Sequence, residues 1–212
     1  MHNCIDTIQY GVCEDTHLQT LQNLSDSDIM FFQSLLEHIP VPFINSSPQT
    51  QNEILHLYAL QNSERSQMRE IIKVIDMDLT DPFINLCSSL NIDPLFSKVD
   101  LCVEAGRKAS LFYKAYFNRA RPFQLSMLYC VNFAPMASIS AWTPSYPSGH
   151  TIQAELLCKM YCESYPMYSD QFQKIADLIS YSRLVGGFHF QSDIEVGKHI
   201  VALLEGRFKN VS

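Results

Sequence analysis

Three short groups of residues in the second half of the chain carry side chains that bind or transfer charge. In the first group, Lys114 and Arg121 lie seven residues apart. Seven helical steps of about 100° return to within about 20° of the starting direction, so a helix through both residues would present two cations on one face. Two like charges at this spacing are usually a solvated stripe, so the pair alone does not define a site.

The second group is Pro147-Ser148-Gly149-His150, directly before apolar residues with helical spacing. The free backbone N–H groups at a helix start, together with the helix dipole, favour an anion there. Ser148 can add a hydroxyl donor, Gly149 allows an anion to come close, and His150 can give or take a proton. Considered alone, the same residues are explained equally simply by an ordinary serine cap beside an incidental histidine.

The third group is Ser182-Arg183, followed after five residues by His189 and after three more by Asp193. A carboxylate four residues from a histidine on a helical turn can accept its Nδ1 proton, which leaves Nε2 free to act as a nucleophile or base. Gly186-Gly187 allows the chain to bend between the arginine and the histidine. Together the three groups supply three cations, an anion-binding helix start and two histidines, which suffice for phosphoryl transfer without a metal.

The elements that must position these residues are predicted to be helices. The periodicity of apolar residues, with serine and proline at helix starts, predicts helices over about 25–38, 48–75 with a break near 61–66, 81–91, 94–120, 148–164, 169–186 and 191–208. Residues 122–147 hold four prolines and no regular period, which predicts a long loop. We therefore predict an all-α fold with one domain over residues 1–212, in which 1–98 are scaffold helices and 99–208 carry the motifs and the active-site loop.

Composition and charge exclude several classes of protein. The 212 residues are 47% hydrophobic, which is ample for a core, and the net charge of −7 disfavours a nucleic-acid-binding face. No stretch approaches the roughly 18–20 apolar residues of a membrane span, and the N-terminus does not resemble a secretory signal. We therefore expect no membrane span and a cytoplasmic location, or a periplasmic or secreted one if the chain was trimmed.

The remaining cysteines, histidines and tryptophan have no motif partners. The seven cysteines form no Cys-x-x-Cys pair, so we interpret them as free thiols and predict no metal site, even though Cys158 and Cys162 lie one helical turn apart. Trp142, the single tryptophan, is equally compatible with a pocket wall and with a loop anchor. Five histidines are interpreted as surface or core residues: His2, His17, His38, His56 and His199.

The three groups together resemble the three-part motif of the type-2 phosphatidic-acid phosphatase superfamily. This superfamily includes the bacterial class A acid phosphatases, membrane lipid phosphatases and vanadium-dependent haloperoxidases. The match has no gap or substitution and covers Lys114-x6-Arg121-Pro122, Pro147-Ser148-Gly149-His150 and Ser182-Arg183-x5-His189-x3-Asp193. The local sequences Arg121-Pro122-Phe123 and His189-Phe190-Gln191-Ser192-Asp193 favour the soluble acid phosphatases. The resemblance implies the helical bundle of the acid phosphatase and vanadium haloperoxidase type.

The resemblance also implies a mechanism. It is that of a metal-independent phosphatase, which hydrolyses phosphomonoesters or pyrophosphate bonds through a phosphohistidine. His189 would be the nucleophile, Asp193 its orienting partner and His150 the general acid. The implied phosphate-binding residues are Lys114, Arg121, Ser148, Gly149 and Arg183. Because this scheme needs one neutral and one protonated histidine, we expect a bell-shaped pH profile centred on the acid side.

The resemblance also implies which ligands the protein binds. The partner would be a small-molecule phosphate ester. No cofactor is implied, and vanadate is expected to bind the phosphate site as an inhibitor. Two alternatives stay open: a vanadate-dependent haloperoxidase, and a helical phosphate-binding module without turnover. A homo-oligomer is also compatible with the sequence.

Overall fold

The computed structural model describes residues 4–11 and 15–208, which contain ten α-helices and no β-strand. The all-α prediction is therefore confirmed for these residues. The helices are α1 (Asp15–Gln22), α2 (Asp26–Ser34), α3 (Pro48–Ser63), α4 (Arg65–Met77), α5 (Asp81–Leu90), α6 (Phe96–Phe117), α7 (Pro122–Ser126), α8 (Gly149–Ser164), α9 (Ser169–Val185) and α10 (Gln191–Phe208). None of the helices in these ranges is long and apolar enough to cross a membrane.

Serine caps begin several of the helices as the sequence predicts. The Ser25 hydroxyl accepts a hydrogen bond from the N–H of Asp28 at the start of α2, and the Ser47 hydroxyl accepts one from the N–H of Thr50 at the start of α3. Each cap satisfies a backbone donor that the helix itself leaves unpaired. Glu64 separates α3 from α4, so the predicted break in the long 48–75 run is also confirmed.

Two predictions around residues 117–129 are wrong: that one helix carries both Lys114 and Arg121, and that residues 122–147 form one long loop. Helix α6 ends at Phe117, where Asn118 adopts a left-handed conformation with φ 45°, and Arg121 has an extended backbone instead of a helical one. Pro122 does not open a loop but occupies the first position of α7, where its missing N–H costs nothing. The irregular segment is therefore shorter than predicted and runs over 130–148.

Helix α8 lies at the centre of the fold, packed against α6, α9 and α10. One side of α8 buries Ile152 and Leu156 in a core shared with α6 and α10. Another side buries Tyr161, which stacks on Phe83 of α5 and Phe172 of α9 with ring centroids 5.6 and 4.6 Å away. These contacts fix the N-terminus of α8, which carries one of the three motifs.

Candidate active site

A cavity of about 340 Å³ lies where the motif-bearing elements meet. Lys114 lies in the last turn of α6, Gly149 begins α8, and Arg183 lies in the last turn of α9. Six of the eight predicted site residues line the cavity: Lys114, Arg121, Gly149, His150, Arg183 and His189. The other two, Ser148 and Asp193, are fully buried and are not among the lining residues.

The carboxylate of Asp193 orients the imidazole of His189. Its Oδ2 lies 3.2 Å from His189 Nδ1 and also accepts hydrogen bonds from the Ser145 hydroxyl at 2.5 Å and the Phe190 N–H at 2.9 Å. Burial alone would raise the pKa of Asp193, but the nearby Arg119 charge and the hydrogen bonds from His189 and Ser145 hold it well below its ordinary value. The carboxylate is therefore ionised and accepts the Nδ1 proton, which leaves the Nε2 lone pair toward the cavity.

Arg121 meets this histidine on its other side. Its Nη1 lies 3.2 Å from His189 Nε2, and the guanidinium is held by the backbone carbonyls of Thr143 and Phe188 at 2.8 and 2.6 Å. Burial lowers the pKa of Arg121 to about 10, so the side chain remains charged at neutral pH. Burial also lowers the pKa of His189 well below 6.5, with help from the charges of Arg121 and Lys114. His189 is thus a neutral imidazole.

Arg183 lines the cavity and carries two buried donors without a hydrogen-bond partner among the described residues. Its Nη2 donates to Asp76 Oδ1 at 2.8 Å and to the Ser140 hydroxyl at 3.1 Å. Its Nε and Nη1 are buried and have no hydrogen-bond partner in the part of the chain that the structure describes. A buried cation with two such donors has the geometry and charge to bind an oxyanion.

Asp76 links Arg183 to the irregular segment. Its carboxylate accepts hydrogen bonds from the hydroxyls of Ser138 and Ser140 and from the Ile139 N–H, at 2.6–2.8 Å. Burial would raise the pKa of Asp76, but the Arg183 charge and these hydrogen bonds lower it to about 2. The carboxylate therefore stays ionised and ties one wall of the cavity to α4.

The start of α8 packs tightly against α6. A Cβ at Gly149 would lie 3.2 Å from the Ser110 hydroxyl, so glycine permits this close approach. Lys114 donates from Nζ to the backbone carbonyl of Pro144. The Ser148 hydroxyl caps α8 and accepts hydrogen bonds from the N–H and hydroxyl of Thr151 at 3.4 and 3.0 Å. It still has its own hydrogen to donate.

His150 lies in the first turn of α8, half-buried on the cavity wall. Burial and the charges of Arg183 and Lys114 lower its pKa well below 6.5. At pH 7 this arrangement therefore holds two neutral histidines, with His150 and His189 both on the cavity wall.

The turn before His189 requires glycine. Gly187 has φ +80°, and a Cβ there would lie 2.5 Å from Phe133 Cζ and 2.8 Å from Arg65 Nη2. This confirms that the Gly186-Gly187 pair lets the chain bend between Arg183 and His189.

Sequence reasoning missed several contributors to the site. Arg119 and Asp76 bind the site residues Asp193 and Arg183, and Glu53 binds Arg119, but none of the three belongs to a motif. His17 lines the cavity because α1 packs on α6, which its sequence pattern did not indicate. Trp142 is 53% exposed and is not among the lining residues. No group of three metal-ligating side chains occurs within the described ranges.

Over the described residues the fold is all-helical, and its cavity is lined by three motif cations and by two buried or half-buried histidines. Residues 99–206 match the family model of the PAP2 superfamily, and the chain therefore belongs to this superfamily. The resemblance found in the sequence motifs is thereby confirmed.

Two relatives and one solved structure extend this comparison. The chain is 28% identical over 116 residues to the non-specific acid phosphatase of Salmonella typhimurium, which covers 53% of this chain and 44% of that protein. It is also 28% identical over 110 residues to the non-specific acid phosphatase of Salmonella typhi, covering 50% and 42%. The chain thus spans less than half the length of these relatives.

The structural likeness covers almost the whole chain. A crystal structure of a bacterial vanadium-dependent iodoperoxidase matches 97% of this chain and 62% of its own, with a TM-score of 0.67 and 15% sequence identity. At this identity the likeness shows a shared fold, which confirms the predicted bundle type.

Proposed function

We propose that this chain is a phosphatase that hydrolyses small phosphate monoesters in the cavity, through a phosphohistidine at His189. The observation that carries the proposal is the pairing of a neutral His189, held by the ionised Asp193, with the unpaired donors of the buried Arg183. Membership of the PAP2 superfamily and similarity to acid phosphatases over half of the chain support the same function.

The nucleophile is prepared by its two neighbours. His189 Nε2 attacks phosphorus while the bond between phosphorus and the ester oxygen breaks, so the phosphoryl group passes to the imidazole. Asp193 keeps the Nδ1 proton and stabilises the positive charge that develops on the ring. Arg121 Nη1, which lies 3.2 Å from Nε2, transfers its hydrogen bond to a phosphoryl oxygen and so releases the lone pair for attack.

The phosphoryl oxygens would be bound by the cationic wall. Arg183 supplies Nε and Nη1, while Arg121 and Lys114, which line the same cavity, add positive charge. The N–H of Gly149 at the start of α8 and the remaining hydroxyl hydrogen of Ser148 complete the proposed set. Because these donors are buried and already oriented, they stabilise the charge on the equatorial oxygens without reorganisation.

His150 serves both halves of the reaction. It donates a proton to the departing ester oxygen, then accepts one from the water that attacks the phosphohistidine and releases phosphate. Burial and the charges of Arg183 and Lys114 oppose its protonation. A bound dianionic ester offsets these cations and favours the protonated form, and activity is therefore expected to be highest on the acid side.

The same donors fit any tetrahedral oxyanion. Vanadate resembles phosphate in charge and shape, and its five-coordinate form resembles the phosphoryl transition state, so we propose that it inhibits the enzyme by occupying this site. We propose no metal or resident cofactor for the hydrolysis. The partner is a small-molecule phosphate ester and not a nucleic acid. The cytoplasmic location and the homo-oligomer remain predictions from the sequence.

The test is hydrolysis of p-nitrophenyl phosphate between pH 4 and 9 in the presence of EDTA, with and without orthovanadate. We expect turnover that survives EDTA, falls with vanadate and decreases by about 10³-fold or more in a His189→Ala variant. His56→Ala, which changes an exposed histidine on α3, is the matched control and should retain full activity. Turnover by His189→Ala would contradict the mechanism. Iodide oxidation by peroxide with vanadate, in the absence of hydrolysis, would assign a haloperoxidase instead.

A further inference from the structure

Arg119 lies between two phosphate-binding residues of the first motif but is directed away from the cavity lining, toward Asp193. Its Nη1 donates to Asp193 Oδ1 at 2.7 Å and to the Ser192 hydroxyl at 2.8 Å. The guanidinium lies 4.0 Å from the centroid of the Phe190 ring. Its side chain is only 2% exposed, so these interactions are shielded from solvent and salt.

Glu53 of α3 holds this arginine from the other side. Its Oε2 accepts a hydrogen bond from Arg119 Nη2 at 3.1 Å, and its Oε1 accepts one from the N–H of Ser192 at 2.6 Å. The glutamate therefore binds both the arginine and the first turn of α10. One buried cation is shared between two carboxylates, those of Glu53 and Asp193.

The two oxygens of Asp193 are used differently. Oδ1 faces Arg119, whereas Oδ2 receives the hydrogen bonds from His189, Ser145 and the Phe190 N–H. Arg119 thus determines both the rotation of the carboxylate and how much of its negative charge acts on the imidazole.

We propose that Arg119, anchored by Glu53, is a positioning residue that sets the basicity of the His189 nucleophile through Asp193. The consequence for turnover rests on the phosphatase function proposed above, but the effect on His189 itself does not. In this arrangement Arg119 cancels part of the Asp193 charge, and Glu53 in turn cancels part of the Arg119 charge.

This arrangement predicts changes of opposite sign. Without the arginine charge, the carboxylate 3.2 Å from the imidazole favours the protonated ring, so the Nε2 lone pair is lost at a higher pH than in the wild type. Without the Glu53 charge, Arg119 acts on Asp193 alone and the ring becomes less basic. A purely structural anchor predicts changes of the same sign, because either loss would loosen the same carboxylate.

Other charged and titratable groups also face the histidine and remain in place in these variants. Lys114 of α6 and Arg121 act on it directly, His150 of α8 and Arg183 of α9 line the same cavity, and Asp76 of α4 pairs with Arg183.

The experiment compares the wild type with Arg119→Met, Arg119→Lys and Glu53→Gln, with the exposed Arg69→Met of α4 as control. The acidic limb of kcat/KM for p-nitrophenyl phosphate should move up by about one to two pH units in Arg119→Met. It should stay close to the wild type in Arg119→Lys and in the control, and it should move down in Glu53→Gln.

A second readout does not need turnover. The ¹⁵N resonances of histidine-labelled protein, assigned by comparison with His189→Gln, report the His189 titration directly. If the wild type has no phosphatase activity, the proposed function fails, while the same opposite movements in the NMR titration still support the role of Arg119. An unchanged His189 titration in folded Arg119→Met would overturn the inference. So would acidic limbs of the kcat/KM profile that move in the same direction in Arg119→Met and Glu53→Gln. Glu53→Gln keeps the shape of the side chain and provides the sign test even where Arg119→Met does not fold.

Discussion

Asp76 and Arg183 form a buried ion pair, with 2.8 Å between Oδ1 and Nη2, although 107 residues separate them in the sequence. The pair joins α4 to the end of α9 and leaves two other buried nitrogens of this cavity-lining arginine without a hydrogen-bond partner among the described residues. The Asp76 carboxylate also accepts hydrogen bonds from the hydroxyls of Ser138 and Ser140. One carboxylate therefore orients both the arginine and the irregular segment.

Replacing Asp76 by Asn should therefore impair stability and activity together. The variant leaves Arg183 buried without its counter-ion, for which we expect a loss of about 3–5 kcal/mol in the free energy of unfolding. Urea unfolding measures this loss, and Asp100→Asn, which changes an exposed aspartate on α6, is the control. Equal stability of Asp76→Asn and Asp100→Asn would show that the ion pair contributes little.

The stability of the fold should fall in two stages on acidification. The histidine pKa values lie below 6.5, so the unfolded chain takes up protons first as pH falls through 6.5 and stability begins to decrease there. The pKa of Asp76 lies near 2, below its usual 3.8, and its contribution is complete above about pH 4 and is lost as pH falls toward 2. Urea unfolding at pH 7, 5 and 3 measures both stages, and His189→Gln should reduce the first. Constant stability between pH 7 and 5 would contradict the neutral burial of the histidines.

Replacing His150 by Ala should affect substrates according to their leaving groups. An ester that needs protonation to leave, such as an alkyl phosphate, should lose about 10²- to 10³-fold in kcat/KM. p-Nitrophenyl phosphate, whose leaving group is stable as an anion, should lose much less. A series of phenyl phosphates of rising leaving-group pKa measures the difference. The same fractional loss for all of them would exclude His150 as the general acid.

Replacing Gly187 by Ala should disturb the turn that presents His189. The substitution forces an alanine to φ +80° and places its Cβ against Phe133 and Arg65, for which we expect at least about 1–3 kcal/mol of destabilisation. Gly11→Ala is a matched control, because Gly11 also has positive φ, +108°, but no atom lies within 4 Å of its added Cβ. Thermal unfolding of the two variants separates the clash from the backbone strain. A smaller effect at Gly187 than at Gly11 would contradict this packing.

The sequence predicts the site best where local rules apply. Ser47-Pro48 and Ser148-Gly149 begin helices as predicted, because a serine cap acts on backbone donors a few residues away. Lys114 and Arg121 do reach the same cavity, but not as neighbours on one helix face. The left-handed Asn118 ends α6 between them, and tertiary packing brings Arg121 back.

The rest of the site depends on contacts that no local pattern encodes. Glu53 reaches Arg119 across 66 residues, and His17 reaches the cavity through the packing of α1 on α6. An isolated glutamate on a helix and a lone histidine have many ordinary explanations in a sequence. Only the folded arrangement distinguishes them from solvated side chains.

Two of the buried arginines, Arg119 and Arg183, pair with carboxylates from the first half of the chain, and Arg119 also pairs with Asp193. Glu53 and Asp76 precede the segment matched to the PAP2 superfamily, whereas Arg119 and Arg183 lie inside it. We therefore expect that an excised piece spanning only 99–206 would bury Arg183 without its counter-ion Asp76, and Arg119 with Asp193 but without Glu53. If the proposed hydrolysis occurs, we expect it to return only when the preceding helices, which the family match leaves out, are supplied as a separate polypeptide.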